Sequence, residues 1–424
     1  MNNLIDKIFF RSKNLNYINL GFKNIKEETE VTQIFEAVSS FSSSSIIRYV
    51  GGCVRKIINK EKVDDIDLAV NLKPSDVCEA LKMKKIKYYE SGIEHGTITA
   101  LINNSKFEIT SLRKDIDTDG RHAKVEFSSN WKEDASRRDF TINSIYADIE
   151  GNLFDPFDGK KDFENGKINF IGDAEVRIKE DYLRILRYIR FFLNYSKNKH
   201  DQKIINIIKG NLNGLSNISS ERLLDEFKKL LRSKGFFNLT KDKDCLEIIN
   251  LIFPQLKNIS LFNKLNSFAK KKFEKVDFIF LLSLMIIDGT DNVDYFIYKF
   301  NLSNKDQKRL LFLNNFYLKK TNSKTFLEHN LNKIFYFNGK EAVMDVIYFK
   351  IFRSNKVDTK LVEMIENYQQ KEFPLLPLRA ITLMTKYNLP EGKELGHKLK
   401  MIEELWVDNN FKISEKEVLK IVNN

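Results

Sequence analysis

The chain has 424 residues, of which 42% are hydrophobic and 30% charged, and this length suits two to four domains rather than one compact core. Its 34 Phe and 15 Tyr exclude a largely disordered chain, and the longest apolar run, Phe278–Ile287, is too short to cross a bilayer. The formal net charge of +12 favours a polyanionic partner such as nucleic acid, although a lysine-rich codon bias would produce the same excess.

The N-terminus and the cysteines indicate the compartment. Asp6 and Lys7 stand where a secretion signal would need an apolar stretch. The three cysteines have no paired spacing, which fits neither a disulfide framework nor a zinc site. We therefore expect a cytoplasmic protein with no membrane partner.

Short β-branched runs bounded by turn residues predict strands in the first third of the chain. The predicted strands are Ile46–Val50, Val63–Val70, Gly96–Ile102, Phe107–Leu112 and Thr141–Asp148. From about Ala174 onward, apolar residues recur at three- and four-residue spacing and no convincing strand follows. Helices are predicted over Tyr182–Phe192, Ser220–Leu231 and Phe278–Ile287. The pattern predicts an α+β fold in which an N-terminal α+β domain precedes an all-helical remainder.

Residues 48–55 (RYVGGCVR) predict a strand, a glycine turn and the start of a helix. Two adjacent glycines, Gly51 and Gly52, allow a sharp bend and a close approach to a bulky ligand. The free N–H groups of the helix, with Arg55 one turn in, suit a phosphate. By itself, a glycine pair marks only a turn.

The next predicted strand carries two acids on one face. Asp65 and Asp67 project together while Ile66 and Leu68 point into the core, because residues two apart share a face. Two parallel carboxylates repel each other, but they suit a divalent cation, above all Mg²⁺. With Glu108 as a third acid, they could hold two cations about 4 Å apart for an in-line phosphoryl displacement. An exposed strand end would give the same two-acid pattern, and the upstream glycine turn favours the metal site.

Two further segments combine charges of both signs. In residues 134–143 (DASRRDFTIN), the arginines suit a triphosphate and Asp139 could accept from ribose hydroxyls. A charged helix start with local ion pairs would give the same pattern.

The second segment, residues 180–190, predicts one helix with Asp181, Arg184, Arg187 and Arg190 in a row on one face. A carboxylate beside a guanidinium can read cytosine or adenine, since it accepts from the exocyclic amine and donates to the adjacent ring nitrogen. Guanine and uracil present a carbonyl there and would be rejected. A solvated stripe of ion pairs remains the alternative.

In this order the segments resemble the class II tRNA nucleotidyltransferase and bacterial poly(A) polymerase family, over the range from about Arg48 to Glu226. One departure is Lys56, where the family usually has Asp. The sequence also lacks a convincing metal-dependent phosphohydrolase domain, because His200-Asp201 has no companion ligands. The matching stretches are Gly51–Arg55, Asp65–Asp67, His95–Thr97, Phe107–Thr110, Asp119–Ala123, Arg137–Asn143, Asp155–Gly159, Glu180–Arg184 and Ser220–Arg222.

The resemblance implies a polymerase-β-like palm, or head, followed by a helical neck, body and tail that hold a tRNA acceptor arm. It implies addition of C, C and A to the tRNA 3′ end from CTP and ATP, with Mg²⁺ and without a template. The implied domains are an unassigned extension at 1–29, the head at 30–165, the neck at 166–235, and the RNA-binding body and tail at 236–424.

The resemblance also assigns roles by position. Asp65 and Asp67 would bind the metals, with Glu108 as a less certain third carboxylate. Residues Lys114–Asn130 would form the loop that helps to change specificity from C to A. The implied nucleotide-binding residues are Gly51, Gly52, Arg55, Arg137, Arg138, Asp139, Asn143, Asp181, Arg184, Arg187 and Arg190.

Several alternatives share these motifs. A poly(A) polymerase would act on other RNA 3′ ends, and an enzyme that adds only CC or only A would use the same palm. A catalytically dead RNA-binding homologue is disfavoured, because it would have no reason to keep repelling carboxylates. The sequence gives no indication of the oligomeric state.

Overall fold

The computed structural model describes residues 17–103, 105–117, 124–318 and 326–423. The chain divides into two compact units, residues 1–239 and 240–424. All the strands of the described residues lie in the first unit, and the second is helical throughout its described part. The predicted α+β class with a helical remainder is therefore confirmed, whereas the finer domain boundaries stay predictions.

The strands form one large sheet and one hairpin. In the large sheet the order is β3-β4-β5-β2-β1-β8-β9, and β6 pairs with β7. The pairing of β2 with β5 is parallel and the other pairings are antiparallel. The strands are β1 (Ile47–Val50), β2 (Asp67–Val70), β3 (Lys87–Gly92), β4 (Thr97–Ile102), β5 (Ser105–Ser111), β6 (Arg113–Asp117), β7 (Lys124–Phe127), β8 (Tyr146–Ala147) and β9 (Leu153–Phe154).

Two predicted strands differ from the structure. The acidic strand begins at Asp67 rather than Val63, because β1 offers partners only as far as the pairing of Tyr49 with Leu68 before the glycine turn. The predicted strand Thr141–Asp148 is instead a 3₁₀ turn, Thr141–Asn143, followed by β8. Tertiary hydrogen bonds override the strand pattern there, since Thr141 N donates to Asn169 O and its hydroxyl donates to Asp162.

The helices cover both units. Their bounds are α1 (17–28), α2 (Val31–Ser39), α3 (Gly52–Ile58), α4 (Pro74–Met83), α5 (Trp131–Ser136), α6 (Gly159–Glu164), α7 (Ala174–Glu180), α8 (Arg184–Tyr195), α9 (Gln202–Gly210), α10 (Ser220–Leu231), α11 (Lys243–Ile252), α12 (Ser267–Lys272), α13 (Phe278–Ile286), α14 (Asn292–Phe300), α15 (Asn304–Leu318), α16 (Glu328–Arg353), α17 (Thr359–Gln370), α18 (Ala380–Tyr387), α19 (Lys393–Asp408) and α20 (Glu415–Asn423).

The core of the first unit fixes β1 and β2 in place. Tyr49 of β1 is fully buried, with its ring 4.9 Å from those of both Phe22 and Phe35. Farther along the chain, α8 packs on α10 and buries its apolar face, including Tyr188 and Phe191. Helices α7 and α8 therefore belong to the same compact unit as the sheet.

The second unit is built around α13 and α16. Helix α13 is almost wholly buried, and α16 packs against α13, α15, α17 and α19. Arg309 of α15 binds the buried Asp345 through Nε at 2.6 Å and Nη2 at 2.8 Å. Across the described ranges, no helix combines the length and the apolar character that a membrane span requires.

Candidate active site

The glycine turn joins β1 to α3 and faces the acidic strand. Gly51 has φ 68° and ψ −118°, a conformation that residues with side chains rarely adopt. A methyl group added there would lie 3.7 Å from Arg138 Nη1 and 4.0 Å from Asp67 Oδ2. One added to Gly52 would lie 3.7 Å from the same Asp67 oxygen. The turn therefore brings together the glycines, an acid and an arginine that the sequence predicts for one site.

The acids of β2 and β5 lie side by side. Asp67 and Glu108 are direct partners in the parallel pairing of these strands, and the exposed Asp65 precedes β2. Burial and the Glu108 carboxylate raise the pKa of Asp67 above its ordinary value, while Arg138 acts in the opposite direction. A cluster of carboxylate oxygens whose charges repel is a donor set that suits a hard divalent cation. The residues present therefore fit a metal site.

The two arginines after α5 are held by a buried acid. Asp134 has 1% of its surface exposed, and it accepts from Arg137 Nε at 2.8 Å and from Arg138 Nη2 at 3.1 Å. Tyr146 OH donates to the same carboxylate at 2.6 Å. Although burial opposes the shift, Arg138 and Arg137 lower the pKa of Asp134 to about 2. Asp134 therefore fixes both guanidinium groups, and it holds that of Arg138 beside the glycine turn.

Asp139 lies in a buried chain of polar contacts rather than at an open surface. Its Oδ1 accepts from Asn143 Nδ2 at 2.9 Å, and its Oδ2 accepts from Arg187 Nε at 2.6 Å. Asn143 in turn accepts from Arg55 Nη1. Although burial acts against it, Arg187 lowers the pKa of Asp139 to about 2. Phe140 N also donates to Oδ1 at 2.9 Å, and Arg187 Nη2 lies 2.6 Å from Oδ2. Each oxygen of Asp139 therefore has two partners, so a direct contact with ribose requires one of these bonds to break.

Three guanidinium groups surround the ring of Phe191. The Cζ atoms of Arg190, Arg55 and Arg187 lie 4.3, 4.7 and 5.6 Å from its centroid. Arg190 Nε also donates to Glu226, which is 2% exposed on α10. Burial lowers the pKa of Arg190, and Glu226 opposes that shift. The aromatic face and one buried acid together stabilise a concentration of positive charge.

The predicted continuous helix over residues 180–190 is wrong at its start. Helix α7 ends at Glu180 and α8 begins at Arg184, while Asp181 is extended with φ −153° and ψ 102°. Arg222 Nη2 of α10 donates to Asp181 Oδ2 at 2.8 Å, and this tertiary contact replaces the expected helical neighbour. Arg184 Nη1 donates instead to Glu180 Oε2 at 2.6 Å. Asp181 therefore does not share a helical row with Arg184.

Some residues around this site escaped prediction from the sequence. Asp134, Tyr146, Arg177, Arg222 and Glu226 all bind predicted site residues directly or through the backbone. Arg222 lies in the matching stretch Ser220–Arg222, to which the resemblance gives no role, and Glu226 follows four residues later on the same side of α10.

The predicted specificity loop, Lys114–Asn130, is described only in part. Strands β6 and β7 pair Lys114 with Glu126 and Arg113 with Phe127 in an antiparallel hairpin. Residues 118–123, including the motif Asp119–Ala123, lie outside the described residues. Gly96 has φ 79°, and a methyl group there would lie 2.7 Å from the Phe127 ring, so the base of the hairpin packs closely on the sheet.

Comparison with known sequences finds the same family. The family model described as the Poly A polymerase head domain matches residues 47–169. The mitochondrial CCA tRNA nucleotidyltransferase 1 of Mus musculus is 32% identical over 385 residues, which cover 89% of this chain and 86% of the relative. This long match extends over both units of the chain.

Solved structures agree with the sequence match. The Bacillus stearothermophilus CCA-adding enzyme in complex with CTP superposes with a TM-score of 0.71 at 20% identity, covering 92% of this chain and 95% of that one. The Thermotoga maritima CCA-adding enzyme complexed with tRNA gives a TM-score of 0.58 at 17% identity, covering 93% and 95%. At these identities, the structures establish the fold.

Proposed function

Since the chain belongs to the class II CCA-adding tRNA nucleotidyltransferase family, we propose that it adds C, C and A to the 3′ end of tRNA from CTP and ATP. The observation that carries the proposal is the in-register pair Asp67 and Glu108 beside the glycine turn. That arrangement suits nucleotidyl transfer, in which the tRNA 3′ hydroxyl attacks the α-phosphate and pyrophosphate leaves.

The family uses a divalent metal, and we propose Mg²⁺ as the ion held by Asp65 and Asp67, with Glu108 beside them. When bound, the ion supplies Lewis-acid stabilisation of the phosphate charge and favours ionisation of the attacking hydroxyl. Asp67 and Glu108 suit this task because the pairing of β2 with β5 fixes their spacing. The raised pKa of Asp67 is consistent with a site that is stabilised by added positive charge.

The triphosphate is proposed to lie on the glycine turn. Gly51 and Gly52 lack a Cβ at the point where Asp67 and Arg138 approach the turn. The N-terminus of α3 offers backbone N–H groups, and Arg138 adds a guanidinium whose direction is set by Asp134. Arg137 is held by the same acid and is proposed to act with it.

A second group of residues supports the nucleotide from α8. Arg187 and Arg190 are proposed to reach it together with Arg55 around the Phe191 ring. Asn143 and Asp139 connect Arg55 to Arg187. We therefore propose that Asp139 positions Arg187, and that it meets the ribose only if this chain rearranges.

Base reading is assigned to Asp181 and Arg184. Arg222 binds one Asp181 oxygen, and Leu183 N donates to the other at 3.2 Å, which leaves acceptor capacity for an exocyclic amine. Arg184 has a planar fork of five N–H donors, some of which bind Glu180 and backbone carbonyls. A carboxylate and a guanidinium in fixed positions would accept cytosine and adenine and reject uracil and guanine.

We also infer that the protein acts in the cytoplasm. Its three cysteines, all among the described residues, form no disulfide, and Cys53 and Cys245 are buried, which suits a reducing compartment. The mouse relative is named as mitochondrial. Fractionation of cells with markers for both compartments tests the inference, and recovery with the mitochondrial marker alone would contradict it.

The direct test of function uses purified protein and a tRNA that lacks its terminal CCA. We expect CTP alone to add two residues, CTP with ATP to complete CCA, and UTP or GTP to add none. Sequencing the 3′ ends reads all outcomes. A long A tail from ATP alone would instead identify a poly(A) polymerase, and arrest after CC with both nucleotides would identify a CC-adding enzyme.

A further inference from the structure

One arginine binds the backbone of the two residues whose side chains are proposed to bind the triphosphate. Arg177 of α7 donates through Nη2 to the carbonyl oxygens of Arg137 and of Arg138, the latter at 2.5 Å. Arg184 Nη2 also donates to the Arg137 carbonyl, at 3.3 Å. A carbonyl oxygen has two lone pairs, so this one acceptor is shared by both arginines. The two guanidinium groups are therefore fixed against the same peptide.

Glu180 completes the link. Its Oε2 accepts from Arg177 Nη1 and from Arg184 Nη1, the latter at 2.6 Å. Arg184 Nη1 also donates to the backbone oxygen of Arg177 at 2.6 Å. Arg177 itself is 9% exposed, and its contacts with Glu180 and the two carbonyl oxygens offset part of the cost of burying a guanidinium. Arg177 and Arg184 therefore share two acceptors, Glu180 Oε2 and the Arg137 carbonyl oxygen.

The same peptide carries the triphosphate-binding side chains. The guanidinium groups of Arg137 and Arg138 donate hydrogen bonds to Asp134. Their carbonyl oxygens accept hydrogen bonds from Arg177. The position of these two residues is thus set on one side by Asp134 and on the other side by α7. A shift at the base-reading end would be transmitted to the phosphate-binding end through this peptide.

We propose that Arg177 is a positioning residue that couples choice of the base to placement of the triphosphate. The inference rests on the proposed function, because it assumes that Arg184 reads the base and that Arg138 meets the phosphates. Arg177 touches neither nucleotide group in this account. It fixes the distance between the two sets of donors, so that a nucleotide whose base is read correctly has its α-phosphate at the acids of β2 and β5.

Arg177→Lys tests the proposal, because lysine keeps the charge but lacks the planar fork that reaches three acceptors at once. Lys179→Ala is the matched control, since Lys179 lies on the same helix and pairs with Glu175 at the surface. We expect Arg177→Lys to raise KM for CTP and ATP together and to reduce the CTP-to-UTP ratio of kcat/KM about tenfold. Lys179→Ala should match the wild type in every parameter.

A purely structural role gives a different result. In that case Arg177→Lys would lower the Tm and leave the CTP-to-UTP ratio unchanged, which would overturn the proposal. If Arg177→Lys does not fold, Glu180→Gln decides, because it weakens the bridge between the arginines while the backbone contacts of Arg177 remain. An unchanged ratio in Glu180→Gln would then overturn the proposal. Failure of the wild type to add C and A would overturn the proposed function instead.

Discussion

Asp67 and Glu108 are direct partners on two parallel strands, and this is the one parallel pairing within the described sheet. The chain between β2 and β5 crosses over through α4, β3 and β4, so acids far apart in sequence lie side by side on neighbouring interior strands. Their side chains leave the same face of the sheet, away from the buried Leu68 and Ile109. The sheet thereby sets the separation of the carboxylates before any ligand arrives.

Removal of either predicted metal ligand should abolish catalysis without abolishing RNA binding. We expect Asp67→Asn and Asp65→Asn to fall below about one-thousandth of the wild-type addition rate, because an amide binds a divalent cation far more weakly than a carboxylate does. Single-turnover assays measure the rate, and filter binding measures tRNA affinity. Asp64→Asn is the control, since Asp64 is exposed and pairs with Lys56. Full activity in Asp65→Asn or Asp67→Asn would refute the assignment.

A side chain at the glycine turn should weaken nucleotide binding in addition to straining the backbone. Gly51→Ala imposes a positive φ on alanine, and we expect it to lose about 1 kcal/mol of stability and to raise KM for CTP and ATP. Gly172→Ala is matched, because Gly172 has φ 82° and no atom within 4 Å of an added methyl group. We expect Gly172→Ala to lower the Tm about as much as Gly51→Ala does, and to leave the KM for CTP and ATP unchanged. A KM for Gly51→Ala equal to that of the wild type would contradict the assignment.

Stability should fall in acid as the buried Asp134 becomes protonated. Its folded-state pKa of about 2 lies below the ordinary value of 3.8, so its contribution is present above the ordinary value and is lost as the pH falls through about 2. We expect about 2 kcal/mol from this group near neutral pH. The Tm difference between wild type and Asp134→Asn should therefore be large near neutral pH and shrink toward about pH 2.

The control for this measurement is Asp225→Asn, because Asp225 is exposed on α10. Its Tm should follow the wild type across the pH range. A difference between wild type and Asp134→Asn that stays constant with pH would show that the buried carboxylate does not stabilise the fold through its charge.

RNA binding should depend on salt through the lysines of the second unit. Lys270 and Lys271 are exposed on α12, and we expect Lys270→Ala with Lys271→Ala to weaken tRNA binding and to reduce the salt slope by about 1–2. Lys82→Ala with Lys84→Ala removes two exposed lysines from the first unit as a control. Filter binding at several salt concentrations gives the slopes. Equal slopes in the two double variants would contradict a specific surface on α12.

Local patterns predicted the parts of the fold that depend on neighbouring residues. Alternation in Phe107–Ile109 placed Glu108 outside the core, and the structure agrees because β5 is covered on one face. The helix predicted over Ser220–Leu231 has the observed bounds of α10. Each segment buries one face, and the spacing of apolar residues along the sequence indicates which face is buried.

The parts that failed depend on contacts with distant residues. The helical pattern runs unbroken through Asp181, but its contact with Arg222, 41 residues away, interrupts the helix. Arg177 binds backbone carbonyl groups, which every residue has, so no pattern of side chains could indicate its partners. Asp134 could be seen only as one charge among several until the fold placed both arginines around it.

Nucleotide choice by single-residue variants tests the central claim most directly. Incorporation of all four nucleotides into tRNA lacking CCA should show that the wild type uses CTP and ATP alone. Asp181→Ala should lose CTP and ATP use and narrow the gap to UTP by about 1–3 kcal/mol, and Arg184→Ala should weaken both correct nucleotides together. If Asp181→Ala and Arg184→Ala both keep the wild-type selectivity and lose only a little stability, the two side chains form surface ion pairs and the account is wrong.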